Sequence, residues 1–184
     1  EVRAELSRNE NAVKEIENDW KKILHIDLVY HNRAPSLLDV KIISNDILSS
    51  SYTSLQCWLN TKNYDREKIS SLIDHLNNLK PKKENYISKH FGNTYFTKEN
   101  ALKIGAIREE IKSLDLSPQE KNILLTSLIY AVDKVANTVG HYEAYRKKLD
   151  TTQDIRMFVP EINVENNINN EIYQKDANQL VREI

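Results

Sequence analysis

Residues 117–135 read SPQEKNILLTSLIYAVDKV, and this stretch decides the fold of the chain. Ser117 and Glu120 have the spacing of a capping box, and Pro118 stands at the first helical position. Apolar residues then recur at helical spacing as far as Val135. The stretch therefore predicts a long amphipathic helix with a sharply defined start.

More helices are predicted on the N-terminal side of this one. The apolar spacing predicts a helix over Leu48–Leu59 and another over residues 5–24. Asp65 is the expected N-cap of a helix that ends before Pro81, and Thr97 is the expected N-cap of the next. The middle of the chain is therefore predicted to be helical throughout.

Strands are predicted at both ends of this helical middle. Val40–Ile43 is rich in β-branched residues and runs into a polar turn that ends at Asp46. Ile155–Val159 is predicted to be a strand stopped by a proline, and Glu171–Gln174 to be a short one. A helix is expected to begin at Ala177.

Composition excludes several classes of function. The 184 residues include three glycines, Gly92, Gly105 and Gly140, which lie too far apart for a glycine-rich nucleotide loop or a nucleophile elbow. The formal net charge is −1, so any attraction for nucleic acid must come from a local patch. The single cysteine, Cys57, cannot form an internal disulfide, which favours a reducing, cytoplasmic compartment. The longest mostly apolar stretch, Ile123–Ala136, contains charged residues and predicts no membrane span.

Candidate catalytic residues are sparse. The five histidines show no metal-ligand spacing, which favours structural or surface roles. Glu110-Ile111-Lys112 fits the short Glu-x-Lys element of one class of nucleases. It lies in a predicted helix, however, where the two charged residues would diverge instead of facing one metal. Neither a metal centre nor a nuclease site is favoured.

Asp46, at the end of the first predicted strand, allows two interpretations. In doubly wound folds an acidic residue at the carboxyl end of a strand commonly binds a ribose. An aspartate that closes a turn or caps a helix is at least as common at this place. The spacing alone leaves both open.

The densest basic cluster is Arg146, Lys147 and Lys148, which follow Tyr142 and Tyr145. Cations beside aromatic rings suit a phosphate backbone with an unstacked base. The same cations at the end of a long helix would complement its dipole. Spacing favours neither interpretation.

Four stretches together resemble adenine-specific DNA methyltransferases, the kind that pair with restriction enzymes. They run in family order from about residue 38 to the C-terminus. The most distinctive is Ala131–Thr138 followed by Gly140, Tyr142, Ala144-Tyr145 and Lys147-Lys148. The others are Ile42–Ile47, the set His90-Phe91-Gly92, Tyr95-Phe96-Thr97, Glu99-Asn100-Ala101 and Ile107-Arg108, and Asn170–Ala177.

This resemblance implies methyl transfer from S-adenosylmethionine to the exocyclic amine of an adenine flipped out of double-stranded DNA. It implies that Asp46 binds the cofactor ribose and that Asp176 contacts the cofactor adenine. The implied fold is α/β, with an incomplete Rossmann-like methyltransferase core over residues 1–47 and 151–184. The chain would be mostly helical because residues 48–150 form a large insertion that recognises the DNA target.

The resemblance also implies which side of the insertion faces DNA. Lys147 and Lys148 are the expected phosphate contacts, and no metal ion is implied. The full set of expected DNA-binding residues is Asn137, Thr138, Tyr142, Tyr145, Arg146, Lys147 and Lys148.

Some motifs of the family are replaced in this chain. Residues 6–11, LSRNEN, and residues 31–35, HNRAP, stand where glycine motifs of the cofactor site are expected. The catalytic Asp-Pro-Pro-Tyr of the family would follow Ile184. We therefore expect a fragment of an ordinary methyltransferase, a degenerate homologue kept for DNA or protein binding, or half of a split enzyme completed by a second polypeptide.

Overall fold

A computed structural model describes residues 41–138, 145–148, 153–167 and 169–184. The two described strands are β1 (Ile43–Asn45) and β2 (Glu171–Tyr173), and Val164–Asn166 forms a 3₁₀ turn. About half of the described residues are helical. The helices are α1 (Ser49–Asn60), α2 (Arg66–Asn77), α3 (Tyr86–Phe91), α4 (Lys98–Ser113), α5 (Pro118–Val135) and α6 (Ala177–Leu180). The helix predicted over residues 5–24 and the replaced motifs at 6–11 and 31–35 lie outside the described residues.

Helix α5 starts where the capping box predicts. The Ser117 hydroxyl accepts a hydrogen bond from the Glu120 N–H at 3.2 Å, and Glu120 Oε2 accepts one from the Ser117 N–H at 2.9 Å. Lys68 on α2 pairs with the same Glu120 carboxylate, and this contact and the Ser117 bonds lower the pKa of Glu120. One cap therefore both starts α5 and ties it to α2.

The other predicted caps are confirmed as well. Asp65 accepts from the Lys68 N–H at 2.9 Å and starts α2, while Thr97 accepts from the Asn100 N–H at 3.1 Å and starts α4. Helix α2 ends at Asn77, before the proline expected to limit it. The short helix α3 was not predicted.

The core lies where α5 packs against α1, α2 and α4, and α3 packs on α4. Each helix contributes apolar side chains at three- and four-residue spacing, and their burial removes apolar surface from water. The largest fully buried apolar side chains of these helices are Ile69, Leu76, Ile107, Ile111, Ile123, Leu124 and Val135. We call α1–α5, with the segment 153–160 that packs on them, the helical lobe.

The strand predicted over Ile155–Val159 is wrong. This segment is extended and alternates buried and exposed side chains, but no strand pairs with it in the part of the chain that the structure describes. Its backbone groups bond to helix side chains instead. Asn77 exchanges two hydrogen bonds with the Met157 backbone, at 2.8 and 3.0 Å, and the Ser127 hydroxyl donates to the Phe158 carbonyl at 2.6 Å.

The two strands pair in parallel, with Ile43 opposite Glu171 and Asn45 opposite Tyr173. The first strand therefore lies later in the chain than the predicted Val40–Ile43. Ser44 and Asn45, which were expected to form the turn, are part of the strand because their backbone pairs with β2.

Two asparagines join the sheet to the end of α1. The Asn167 amide donates to the Trp58 and Thr61 carbonyls, both at 2.9 Å, and the Asn170 amide donates to the Leu59 carbonyl at 2.8 Å. These bonds satisfy carbonyls that lack helical partners at a helix C-terminus. The polar segment that leads into β2 is therefore anchored on α1.

Candidate functional site

The parallel pairing brings both predicted cofactor residues to one edge of the sheet. The carboxyl ends of parallel strands lie side by side, so Asp46 after β1 and Asp176 after β2 lie at the same edge. The Asp46 N–H donates to the Tyr173 carbonyl at 3.2 Å, which continues the strand contact to that point. We call residues 45–48 and 173–176 the carboxyl edge.

Each aspartate at this edge already has a local partner. Asp46 Oδ1 accepts from the Leu48 N–H at 2.8 Å, which closes a turn before α1. Asp176 Oδ1 accepts from the Asn178 and Gln179 N–H groups at 2.9 and 3.2 Å and caps α6. A carboxylate has about four acceptor positions, so both can accept further hydrogen bonds from a ligand.

Asn45 holds the two halves of the carboxyl edge together. Its amide donates to the Lys175 carbonyl and its Oδ1 accepts from the Lys175 N–H, both at 3.0 Å. Beside this clamp the side chains of Ile47 and Leu48 are 64% and 61% exposed. The edge thus offers carboxylates next to an open apolar surface. Asn45 and Ile47 lie in the Ile42–Ile47 stretch of the resemblance, but sequence reasoning gave no role to them or to Leu48, because their roles depend on where β2 lies.

An exposed ion pair links the two segments at the start of the strand pairing. Lys41 pairs with Glu171, and the Tyr173 hydroxyl donates to Glu171 Oε2 at 2.8 Å. The Lys41 contact, followed by the Tyr173 hydroxyl, lowers the pKa of the Glu171 carboxyl. These groups are exposed to solvent, so the pair contributes little stability.

The predicted DNA-facing segment is fixed at its base by Asn137. This side chain is 4% exposed, and its amide donates to the Thr94 and Arg146 carbonyls at 2.9 and 3.0 Å. The Asn137 N–H donates to the Tyr95 carbonyl at 2.7 Å. Asn137 therefore joins the end of α5, the turn after α3 and the basic segment.

The remaining predicted DNA-binding residues follow Asn137 in the chain. Thr138 and Tyr145 pair as an antiparallel bridge, and residues 145–148 are exposed. Arg146, Lys147 and Lys148 take part in none of the ion pairs among the described residues. Tyr142 lies outside the described residues. The structure thus places three neighbouring cations and one half-exposed tyrosine on the surface.

A row of aromatic rings leads away from Tyr145 across the lobe. Tyr145 meets Tyr95 with ring centroids 5.2 Å apart, Tyr95 meets Phe91 at 5.9 Å, and Phe91 meets Tyr86 at 6.2 Å. Tyr86 in turn lies 4.4 Å from the ring of His90. These tilted and edge-on geometries are the favourable ones for aromatic pairs. The row was not predicted, because its members come from three separate segments.

A small cleft lies on another face of the lobe. Its volume is about 190 Å³, below the roughly 300 Å³ that ligand pockets usually have. Lys134 and Arg156 lie 5.3 and 5.5 Å from the centre of the half-exposed Phe158 ring. Both cations are therefore satisfied in part by a cation–π contact within the protein.

The described residues contain no cluster of three or more potential metal ligands. Glu110 and Lys112 both lie in α4, as predicted, and Glu110 contacts His75 on α2 at 3.1 Å. Cys57 is fully buried, and burial raises its thiol pKa to about 11, so it is not a nucleophile at neutral pH.

Comparisons with known proteins agree with the resemblance. Residues 36–184 match the family model of D12 class N6 adenine-specific DNA methyltransferases. The chain is 33% identical over 151 residues to the type II methyltransferase M.CviAII of Paramecium bursaria Chlorella virus 1, covering 75% of this chain and 44% of the relative. No solved structure matched.

Two bacterial relatives are similar over parts of their length. Modification methylase LlaI of Lactococcus lactis subsp. lactis is 35% identical over 98 residues, which are 49% of this chain and 16% of the relative. Modification methylase StsI of Streptococcus sanguinis is 30% identical over 166 residues, which are 78% of this chain and 24% of the relative. The chain therefore spans less than half the length of these curated relatives.

Among the described helices, none has the length and apolar character needed to cross a membrane.

The family match covers β1, the helical lobe, β2 and α6, and thus includes both predicted sites. The chain belongs to the D12 class N6 adenine-specific DNA methyltransferase family.

Proposed function

We propose that the protein transfers a methyl group from S-adenosylmethionine to the N6 amine of adenine in double-stranded DNA. The family and the names of the relatives support this activity. The observation that carries it for this chain is the parallel pairing that brings Asp46 and Asp176 to one carboxyl edge. In open α/β sheets, ligands bind outside the carboxyl ends of the strands.

The proposed cofactor site uses the free acceptor positions of the two aspartates. Asp46 would accept hydrogen bonds from the ribose hydroxyls, and Asp176 from the adenine amine. The exposed Ile47 side chain supplies an apolar surface suited to the flat face of a nucleoside. These residues fit the polar and apolar parts of S-adenosylmethionine, which supplies the methyl group when bound.

The proposed DNA contacts lie in the segment that follows α5. Lys147 and Lys148 would contact phosphates, with Thr138, Tyr142, Tyr145 and Arg146 beside them. Asn137 would act as a positioning residue, because its side chain is buried and already donates two hydrogen bonds. In this proposal residues 48–150 recognise the DNA target, while residues 1–47 and 151–184 belong to the methyltransferase core.

Calorimetric titration of the chain with S-adenosylmethionine tests the cofactor site. Asp46→Asn and Asp176→Asn each keep the local turn or helix cap, because asparagine accepts the same backbone bond, but remove the charge. We expect each to weaken binding by about tenfold, the effect of one hydrogen bond to a charged group. Asp115→Asn, an exposed aspartate of the α4–α5 loop, is the matched control and should bind normally.

Two results would contradict this assignment. Unchanged affinity in Asp46→Asn and Asp176→Asn would remove these aspartates from the cofactor site. If S-adenosylmethionine does not bind while duplex DNA binds with a steep salt dependence, this chain is a non-catalytic DNA-binding module. Completion of the core by a second polypeptide stays a prediction.

Fluorescence anisotropy with an adenine-containing duplex tests the DNA contacts. The double variant Lys147→Ala/Lys148→Ala should lower the slope of log K against log salt by about two, since each lost phosphate contact accounts for about 0.9. The double variant Lys112→Ala/Lys121→Ala removes two exposed lysines of α4 and α5 and should leave the slope unchanged. Equal salt slopes for both variants would contradict phosphate contacts by Lys147 and Lys148.

A further inference from the structure

We propose that the α2–α3 loop forms a second phosphate-contacting surface, which extends the DNA interface beyond residues 145–148. This loop patch consists of Lys80, Lys82 and Lys83 with the neighbouring ring of Tyr86. The inference rests on the proposed DNA-binding function. The loop patch lies within residues 48–150 but is separate from the individual residues to which the resemblance assigns DNA contacts, all of which lie between Asn137 and Lys148.

The loop patch carries a concentrated positive charge. Lys80, Lys82 and Lys83 lie within four residues, and all three are exposed. None of them takes part in an ion pair among the described residues. The nearest acidic residue in the chain, Glu84, contacts Lys98 at 3.4 Å. An unpaired cluster of this kind attracts a polyanion and releases its counterions on binding.

The end of the loop is held in a defined position. Asn85 accepts from the Ser88 N–H at 3.0 Å, and its amide donates to the Leu102 carbonyl of α4 at 2.9 Å. A Cβ added to Gly105 of α4 would lie 2.2 Å from Asn85 Oδ1, so the amide packs directly on this glycine. The loop patch is therefore anchored on the core, which reduces the entropy lost when it binds a partner.

The aromatic row connects the loop patch to the predicted DNA-facing segment. It joins Tyr145 to Tyr86 in three ring-to-ring steps of 5.2, 5.9 and 6.2 Å. The two ends of the row are 48% and 66% exposed. At 3.4 Å of rise per base pair, the row spans at most about five base pairs. A duplex of that length therefore spans the distance between Tyr145, beside Lys147 and Lys148 in the chain, and Tyr86, which follows the loop patch lysines.

The chemistry of the loop patch favours a DNA backbone over other occupants. Lysine ammonium groups are point charges without directional preference, which suits successive phosphates along a strand. The exposed Tyr86 ring can pack against sugar or donate its hydroxyl to a phosphate. An acidic protein is the alternative partner, and normal DNA binding by a variant without these lysines would favour it.

The test is anisotropy of a fluorescent duplex of about two helical turns, titrated at several salt concentrations. The triple variant Lys80→Ala/Lys82→Ala/Lys83→Ala should lower the salt slope by about two to three, and affinity should fall more than tenfold at low salt. The triple variant with arginine at the same positions should keep the slope. Tyr86→Ala should lower affinity without changing the slope, because it removes no charge.

Lys62→Ala/Lys112→Ala/Lys121→Ala is the charge-matched control, with three exposed lysines outside the loop patch and the aromatic row. If the loop and control variants lose the same affinity and slope, only net charge matters and the inference fails. If the loop variant binds DNA normally while Lys147→Ala/Lys148→Ala does not, the inference fails and the proposed function stands. Absence of salt-dependent duplex binding by the unmodified chain overturns both.

Discussion

The helical lobe and the carboxyl edge use the same side-chain contact in opposite surroundings. In the lobe, Asn100 is 3% exposed, donates to the Gln153 carbonyl and accepts from the Ile155 N–H, both at 2.9 Å. At the carboxyl edge, Asn45 donates to the Lys175 carbonyl and accepts from its N–H in bonds that are open to solvent. Each asparagine thus satisfies one backbone donor and one backbone acceptor.

The difference lies in what happens when such a contact is lost. At the carboxyl edge water can replace the asparagine, whereas in the lobe the buried Ile155 N–H would remain unpaired. The lobe is therefore expected to be the rigid part of the molecule. The carboxyl edge is held by contacts that a ligand or water can replace, which suits a binding site.

The largest expected effect comes from removing the buried asparagine. Asn100→Ala should lower the free energy of unfolding by about 3 kcal/mol, because the Ile155 N–H loses its partner in the interior and the Gln153 carbonyl loses its bond to the Asn100 amide. Asn45→Ala should cost less than about 1 kcal/mol, since solvent reaches Lys175. Urea denaturation of both variants measures the two values. Equal losses would contradict the distinction between the lobe and the edge.

The two regions should also respond to opposite ends of the pH range. Burial raises the pKa of Cys57 from 9.0 to about 11 in the folded chain. A raised folded pKa means that stability is present below pH 9 and is lost as the pH rises toward 11, where about 2 kcal/mol should be gone. Urea denaturation from pH 8 to 11 should show this alkaline loss in the unmodified chain and a smaller one in Cys57→Ala.

In the sheet, Glu171 at the start of β2 has the opposite pH dependence to Cys57. Its pKa is lowered, first by Lys41 and then by the Tyr173 hydroxyl. Its contribution is therefore present at neutral pH and is lost as the pH falls through its folded value. The pair is exposed, so the loss of stability in acid should be small.

The contradicting outcome for Cys57 is an equal alkaline loss of stability in the unmodified chain and in Cys57→Ala. That result would show that the lobe does not bury an ionisable thiol.

Much of the lobe could be predicted because its helices carry their own start signals. Ser117 with Glu120, Asp65 and Thr97 all cap helices as expected, through bonds that reach only three residues along the chain. Helix α3 was missed because six residues give too little periodicity to detect. Its Asn85 cap is anchored by Leu102, which is far away in sequence.

The errors share one physical cause, which is that the decisive partner is remote. The segment Ile155–Val159 looks like a strand, but its backbone is satisfied by Asn77, Asn100 and Ser127 of the helices. The burial of Asn137 was likewise not predicted, whereas its expected DNA contact stays a prediction. Its burial depends on the turn after α3, which no local pattern reveals.

The next expected effect concerns how α3 is docked. Gly105→Ala should lower the free energy of unfolding by about 1 to 2 kcal/mol, because the added Cβ would displace Asn85 and break its cap and its bond to Leu102. Alanine should otherwise favour a helix over glycine by about 1 kcal/mol. Thermal denaturation of Gly105→Ala, Asn85→Ala and the double variant separates the clash with Asn85 from the helix preference of alanine. If the clash is the cause, Gly105→Ala becomes stabilising once Asn85 is truncated.

The smallest expected effect is a gain in stability. It concerns Thr61, where the lobe meets the segment that leads into β2. The Thr61 hydroxyl is fully buried and has no hydrogen-bond partner among the described residues, although the Thr61 carbonyl accepts from Asn167. Thr61→Val keeps the shape and removes an unsatisfied polar group, so it should raise stability by up to about 1 kcal/mol. Thr126→Val is the matched control. The buried Thr126 hydroxyl donates to the Thr53 carbonyl at 3.5 Å, so its removal should lower stability. If both valine variants lose stability in urea denaturation, the Thr61 hydroxyl has a hydrogen-bond partner in the folded protein, and the prediction is wrong.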